Sequence, residues 1–150
     1  MSIPWTTVDQ PDAGPKAVVL VTWFELASRL RVPSFMRYGP PLWWQARHSP
    51  GLLGVAFRSE PFKGTFWTLS AWTDRKSLAS YTRTDPHGAA MEKIRPWMQD
   101  FVRSSWEVPV ADLPARLRDV RPLWAEAERR VADELVLHRA ERSIRGRTPC

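Results

Sequence analysis

The sequence predicts an α+β fold with a ferredoxin-like core in the order β-α-β-β-α-β, and three observations carry that prediction. The run 17–24 is β-branched and aromatic with no polar alternation, which fits a central strand buried on both faces. The run Thr65-Phe66-Trp67-Thr68-Leu69-Ser70-Ala71-Trp72-Thr73-Asp74 reads as another buried strand ending in a helix cap. Asp85-Pro86 then repeats a cap-plus-proline signal, and a lone His87 falls in the first turn behind it.

Taken in order, residues 1–16 contain Pro4, Pro11, Gly14 and Pro15 and read as an extended arm. Strand one is 17–24. Val32-Pro33-Ser34 opens a helix, with Pro33 where a missing N–H costs little. Gly39-Pro40-Pro41 must kink or split it. His48-Ser49-Pro50-Gly51 is a turn, 52–59 is strand two, and 60–64 is a hairpin connection. In strand three, 65–72, Phe66, Thr68, Ser70 and Trp72 share one face, and Thr65, Trp67, Leu69 and Ala71 share the other. Neither face is polar enough to be fully solvated, so one should meet helices and the other a second sheet or a cavity. Asp74 caps a helix over 75–83. The helix begun at Pro86 should run to about Phe101, with Met91, Ile94 and Met98 at helical spacing. Residues 101–108 complete the core as strand four.

This divides the chain into an arm (1–16), a core (17–110) and a helical extension with a basic tail (111–150). Pro114 and Pro122 interrupt the extension. Leu123, Trp124, Ala127, Val131, Leu135 and His138 form an amphipathic stripe that would dock on the body or on a second subunit. One copy of such a core exposes one sheet face. Large rings there would be buried by pairing two copies, which predicts a homodimer and a dimeric α+β barrel.

Composition bounds the function. The chain has 150 residues, 43% hydrophobic and 11% aromatic, enough for a packed core. Nine Trp exceed what a core needs and suggest an aromatic-lined cavity or an interface. The net charge of +6 is spread along the chain, so the focused stripe expected of a nucleic-acid binder is missing, although a basic surface attracts anionic ligands. Cys150 is the only cysteine. It excludes an intrachain disulfide and a thiolate metal cluster and fits a cytoplasmic protein. Residues 1–5 lack the pattern of a signal peptide, and the apolar run 17–23 is too short to span a bilayer. No dinucleotide fingerprint, P-loop, nucleophile elbow or HExxH string occurs, and no carboxylates are paired for glycoside chemistry.

Three segments carry a family resemblance: Arg47-His48-Ser49-Pro50-Gly51-Leu52-Leu53-Gly54, Phe66 to Asp74, and Asp85-Pro86-His87-Gly88-Ala89-Ala90-Met91. Over residues 20–108 the chain resembles the dimeric α+β barrel proteins of the antibiotic-biosynthesis-monooxygenase type, and within them the group akin to spheroidene monooxygenase. The resemblance implies a homodimer. It leaves function open among quinone-forming oxygenases, haem-binding or haem-degrading enzymes and proteins without catalysis.

His87 is the leading candidate residue. It could act as a base on a phenolic substrate or ligate haem iron, the only metal role considered for it. A helix N-terminus would hold it neutral. The bland alternative is a packed first-turn histidine. Tyr81 and Asp85 border it and could orient its ring, although Asp85 is more simply a cap. Trp43, Trp44, Trp67, Trp72 and Trp97 could wall a pocket for a flat apolar ligand, with core or interface packing the better reading for half of them. Arg37 and Arg47 could pair with a ligand anion or simply be solvated. His48 fits a surface turn and His138 a structural role. The leading reading is a small monooxygenase-like enzyme acting on an aromatic or polyene substrate, cofactor-free or haem-dependent. The alternatives are a non-catalytic barrel that binds an apolar ligand and a module whose helix 122–141 binds a protein partner.

Overall fold

A computed structural model describes residues 2–11, 13–114 and 119–147; Cys150 lies outside them. The strands are β1 (Ser2–Thr7), β2 (Lys16–Leu26), β3 (Leu52–Glu60), β4 (Thr65–Trp72) and β5 (Met98–Pro109). The helices are α1 (Val32–Met36), α2 (Gly39–His48), α3 (Arg75–Arg83), α4 (His87–Ile94) and α5 (Arg121–Arg145). The strands form one antiparallel sheet in the order β1-β3-β4-β2-β5. Without β1, this is the ferredoxin-like arrangement.

The two long central strands are apolar on both sides because both faces of the sheet are covered. Val19, Val21 and Trp23 of β2 join Leu69 and Ala71 of β4 on one face. Val18 and Leu20 join Trp72 on the other, among Leu52, Val55, Ala46 and Leu78. Phe24 and Phe66 close the far end of that second face, stacked 5.3 Å apart with Phe35 of α1 against both. Helices α1 to α4 lie on this second face.

Several sequence expectations change. The arm is not free: residues 2–7 form β1 and pair with β3 at the sheet edge. The ring of Trp5 lies over Gly54, where a Cβ would come within 2.1 Å of it, so only glycine leaves room for the strand to dock. The first helix does split, into α1 and α2, with Pro40 in the first turn of α2. The helix through His87 stops at Ile94 rather than near Phe101. Pro96 has no N–H to continue the helical ladder, so the chain makes a 3₁₀ turn, Arg95–Trp97, and enters β5 at Met98. At the β3–β4 connection, Gly64 sits at φ +70°, a conformation that costs glycine little.

The face expected to pair with a second copy is covered by α5 of the same chain. Leu123, Trp124, Ala127 and Val131 are buried against Trp23, Leu69, Ala71 and Val102. Trp124 meets Trp67 edge-on at 6.4 Å, and Arg58 lies over the Trp124 ring at 3.8 Å while bonding Glu128. Farther along α5, His138 and Arg142 both reach Asp100 of β5. This face of the sheet is occupied by α5 within one chain.

Candidate functional site

Between the sheet and helices α1 to α4 lies a cleft of about 1000 Å³. Its floor follows from strand register. Thr68, Thr22 and Arg103 stand side by side across β4, β2 and β5. The neighbouring row is Phe66, Phe24 and Phe101, and the row beyond Thr22 on the other side is Ser70, Leu20 and Ser105. The floor is therefore a polar stripe with an aromatic row on one side and a mixed row of two serines and a leucine on the other. Phe35, Met36, Leu42 and Trp43 from α1 and α2 form part of the roof, and Tyr81, Thr82, His87 and Met91 from the α3–α4 region form the rest.

A clamp built on Gln45 places His87. Gln45 is 8% exposed. Its Nε2 donates to the carbonyl of Thr84 at 2.9 Å, and its Oε1 accepts from the backbone N–H of His87 at 2.8 Å. One buried amide thereby satisfies both ends of the turn between α3 and α4. Asp74 fixes the start of α3, its Oδ1 accepting from the Ser77 N–H at 2.7 Å.

The tautomer of His87 follows from its partner. Its Nδ1 lies 3.1 Å from the carbonyl oxygen of Thr82. A carbonyl only accepts, so Nδ1 carries the proton and Nε2 keeps its lone pair. Burial lowers the pKa below the ordinary 6.5; the Thr82 bond opposes it in part, and the nearby Arg103 guanidinium adds a smaller lowering. The ring is a neutral base at pH 7. The helix dipole invoked from sequence is not the leading cause. Tyr81 packs against His87 with ring centroids 4.8 Å apart. Burial pushes the Tyr81 phenol up, so it stays protonated and can donate.

The other sequence candidates disperse. Trp43 lines the cleft, with Arg47 stacked on its outer face at 4.6 Å, so Arg47 supports a wall without reaching the interior. Trp43 Nε1 is buried without a hydrogen-bond partner. Trp44 is 62% exposed and stacks on His48 at the surface. Trp72 is fully buried behind Tyr81, its Nε1 donating to Ser70 Oγ at 2.9 Å. Trp67 touches the cleft rim, but its ring packs under α5 between Trp23 and Trp124. Trp97 belongs to the cluster around Phe24 and Val32, beneath Arg31. Arg37 is exposed on the connection between α1 and α2. Asp85 does not orient His87; its Oδ1 accepts from the Ala89 N–H at 3.0 Å and so caps α4. Of the proposed Trp wall, only Trp43 stands in the cleft. The walls are mainly Phe, Met and Leu. Phe24, Phe35, Thr22, Gln45 and Arg103 were not singled out as site residues by sequence reasoning, and Phe66, Thr68 and Met91 were placed only by their strand or helix spacing. The strand-three alternation was the one available signal for Phe66 and Thr68.

Among the described residues no group of three or more His, Cys, Asp or Glu could hold a metal ion, and no helix is long and apolar enough to cross a membrane. No protein-family model matches the chain, and no curated protein matches it in sequence. Solved structures do resemble it. A candidate antibiotic biosynthesis monooxygenase from Nitrosomonas europaea superimposes with a TM-score of 0.54 at 15% identity, over 64% of this chain and 91% of that one. Another, from Caulobacter crescentus, gives 0.52 at 17% identity over 64% and 91%. A dimeric ferredoxin-like protein of unknown function from Thermobifida fusca gives 0.54 at 16% identity over 67% and 99%. The chain thus has the ferredoxin-like α+β fold of antibiotic-biosynthesis-monooxygenase-type structures. At these identities the likeness carries the fold and not the activity.

Proposed function

We propose that this chain is a small monooxygenase-like enzyme acting on an aromatic or polyene substrate in the cleft between the sheet and α1–α4. The observation that carries this reading is the His87 ring: its Nδ1 proton is committed to Thr82, its Nε2 has no hydrogen-bond partner among the described residues, and it lies against Tyr81 at the wall of a mainly apolar cleft. In the cofactor-free form, Nε2 takes a proton from a phenol-like substrate. The substrate anion reduces molecular oxygen: one oxygen atom replaces two hydrogens on a ring carbon as a carbonyl, the other leaves as water carrying those two hydrogens, and all four electrons taken up by oxygen come from the substrate. Tyr81 donates to the oxygen that carries the developing charge. The apolar walls exclude water from the reacting anion.

The donor set also fits haem. His87 Nε2 would hold the haem iron, its ring oriented by the Nδ1 bond to Thr82, and Arg103 and Arg95 on the cleft lining would supply cations for the haem carboxylates. Bound haem would supply one-electron and oxygen chemistry. The test is a visible spectrum with and without hemin, plus oxygen uptake with a hydroxyanthrone, for the native chain and His87→Ala. Oxygen uptake lost in His87→Ala supports the enzyme. A Soret band lost in His87→Ala selects haem. Binding of the hydroxyanthrone with no oxygen uptake, unchanged in His87→Ala, would leave a carrier of apolar ligands and sink the catalytic reading.

A further inference from the structure

The charged groups on the cleft lining do not cancel. Its one carboxylate, Asp100, is 15% exposed and already bonded by Arg142 at 2.8 Å and His138 at 3.4 Å. Of its three arginines, Arg58 is committed to Glu128 and to the Trp124 ring. Arg103 and Arg95 have no ion-pair partner among the described residues. Arg103 also closes the polar stripe of the floor, next to Thr22, which is next to Thr68. No hydrogen bond is made by either threonine hydroxyl among the described residues. Two arginines and two open hydroxyls therefore border, with His87 and Tyr81, a mainly apolar space whose one lining carboxylate, Asp100, is already paired.

We propose that the cleft selects an amphiphilic anion: a flat apolar body lying on Phe24, Phe66 and Phe35, and a single negatively charged oxygen group over Thr22 and Thr68 against Arg103. This rests on the reading of the cleft as a ligand site, but not on any catalysis there. Two unpaired guanidinium groups beside low-dielectric walls raise the local concentration of such a ligand. The threonine hydroxyls and the Arg103 fork satisfy its oxygens. A neutral polyene of the same shape would leave those donors unpaired, which is the physical basis of discrimination.

The test uses two fluorescent probes that differ in one group: anilinonaphthalene sulfonate and its uncharged parent, N-phenylnaphthylamine. Both are titrated into the native chain and into Arg103→Gln and Arg103→Lys at low and high salt. Arg103→Gln should weaken the sulfonate by about fivefold or more at low salt, in keeping with an exposed charge pair. It should leave the uncharged probe within a factor of about two. Arg103→Lys should restore part of the loss, and high salt should shrink the difference. Equal loss of both probes would make Arg103 a packing residue and overturn the inference. So would no effect on either. In both cases binding of the uncharged probe would leave the ligand cleft standing. Failure of both probes to bind the native chain would overturn the cleft itself, and this inference with it.

Discussion

On the α5 side of the sheet, Trp23, Leu69, Ala71 and Val102 are 8%, 0%, 0% and 2% exposed. On the opposite side, the same strands present Thr22, Thr68 and Arg103 to a cleft of about 1000 Å³. The sequence alternation that creates one face creates the other, since successive side chains on a strand point to opposite sides. What differs is the cover. A single 25-residue helix lays an unbroken apolar stripe on the first face. Four short helices, divided by prolines at 33, 40 and 86, cover the second incompletely. Both faces carry buried clusters. Only the second also keeps a row of polar side chains beside a cleft, and local departures from an apolar pattern are the places to examine for function.

The largest effect should come from the first face. Trp124→Ala removes a buried ring held between Trp67 and Arg58 and should cost about 3–5 kcal/mol in urea denaturation. Thr68→Val, nearly the same shape on the opposite face, should change stability by less than about 1 kcal/mol. If the two cost the same, the asymmetry between the faces is wrong. Deleting residues 113–150 sharpens the point. It uncovers Trp23, Leu69 and Ala71, and the truncated chain should self-associate in sedimentation at concentrations where the intact chain does not.

An intermediate effect should come from the clamp under the cleft. Gln45→Leu keeps the volume but leaves the His87 N–H without its partner and the Thr84 carbonyl with only the longer bond from the Gly88 N–H. A loss of about 1–3 kcal/mol is expected. Amide exchange at His87 should accelerate more than at Leu69. Uniform acceleration would mean that Gln45 serves the whole fold and not the site.

These sites also divide what could be read from sequence. Central strands were legible because β2 is a nearly continuous β-branched and aromatic run and neither face of β4 is polar enough to be solvated, and α3 because Asp74 is a cap with a mechanism. The stripe along α5 was legible from its spacing, but its destination was not, since an apolar stripe looks the same whether it docks on its own sheet or on another chain. Tryptophan counting misplaced the cleft wall because a large ring is as useful under α5, as Trp67 is, as beside a ligand. His87 stood out as a lone histidine behind a cap. Arg103 did not, because its meaning comes from lying two strands away from Thr68, a neighbour that only register supplies.

The smallest effect concerns the His87 ring, and its sign is definite. Burial and Arg103 lower its pKa in the native state below the ordinary 6.5, while the unfolded chain keeps that ordinary value. As pH falls through about 6.5, the unfolded state gains a proton that the native state resists, so stability drops. Above that pH the contribution is fully present; below the depressed native pKa the penalty stops growing. His87→Asn cannot titrate and should flatten the stability profile relative to the native chain between about pH 7.5 and 5. Arg103→Gln removes the second cause alone, so the His87 ring should titrate at higher pH by NMR, though still below the ordinary value because burial remains. If the titration does not move, Arg103 and His87 do not share one electrostatic site, and the floor stripe and the roof histidine would have to be treated as separate features of the cleft.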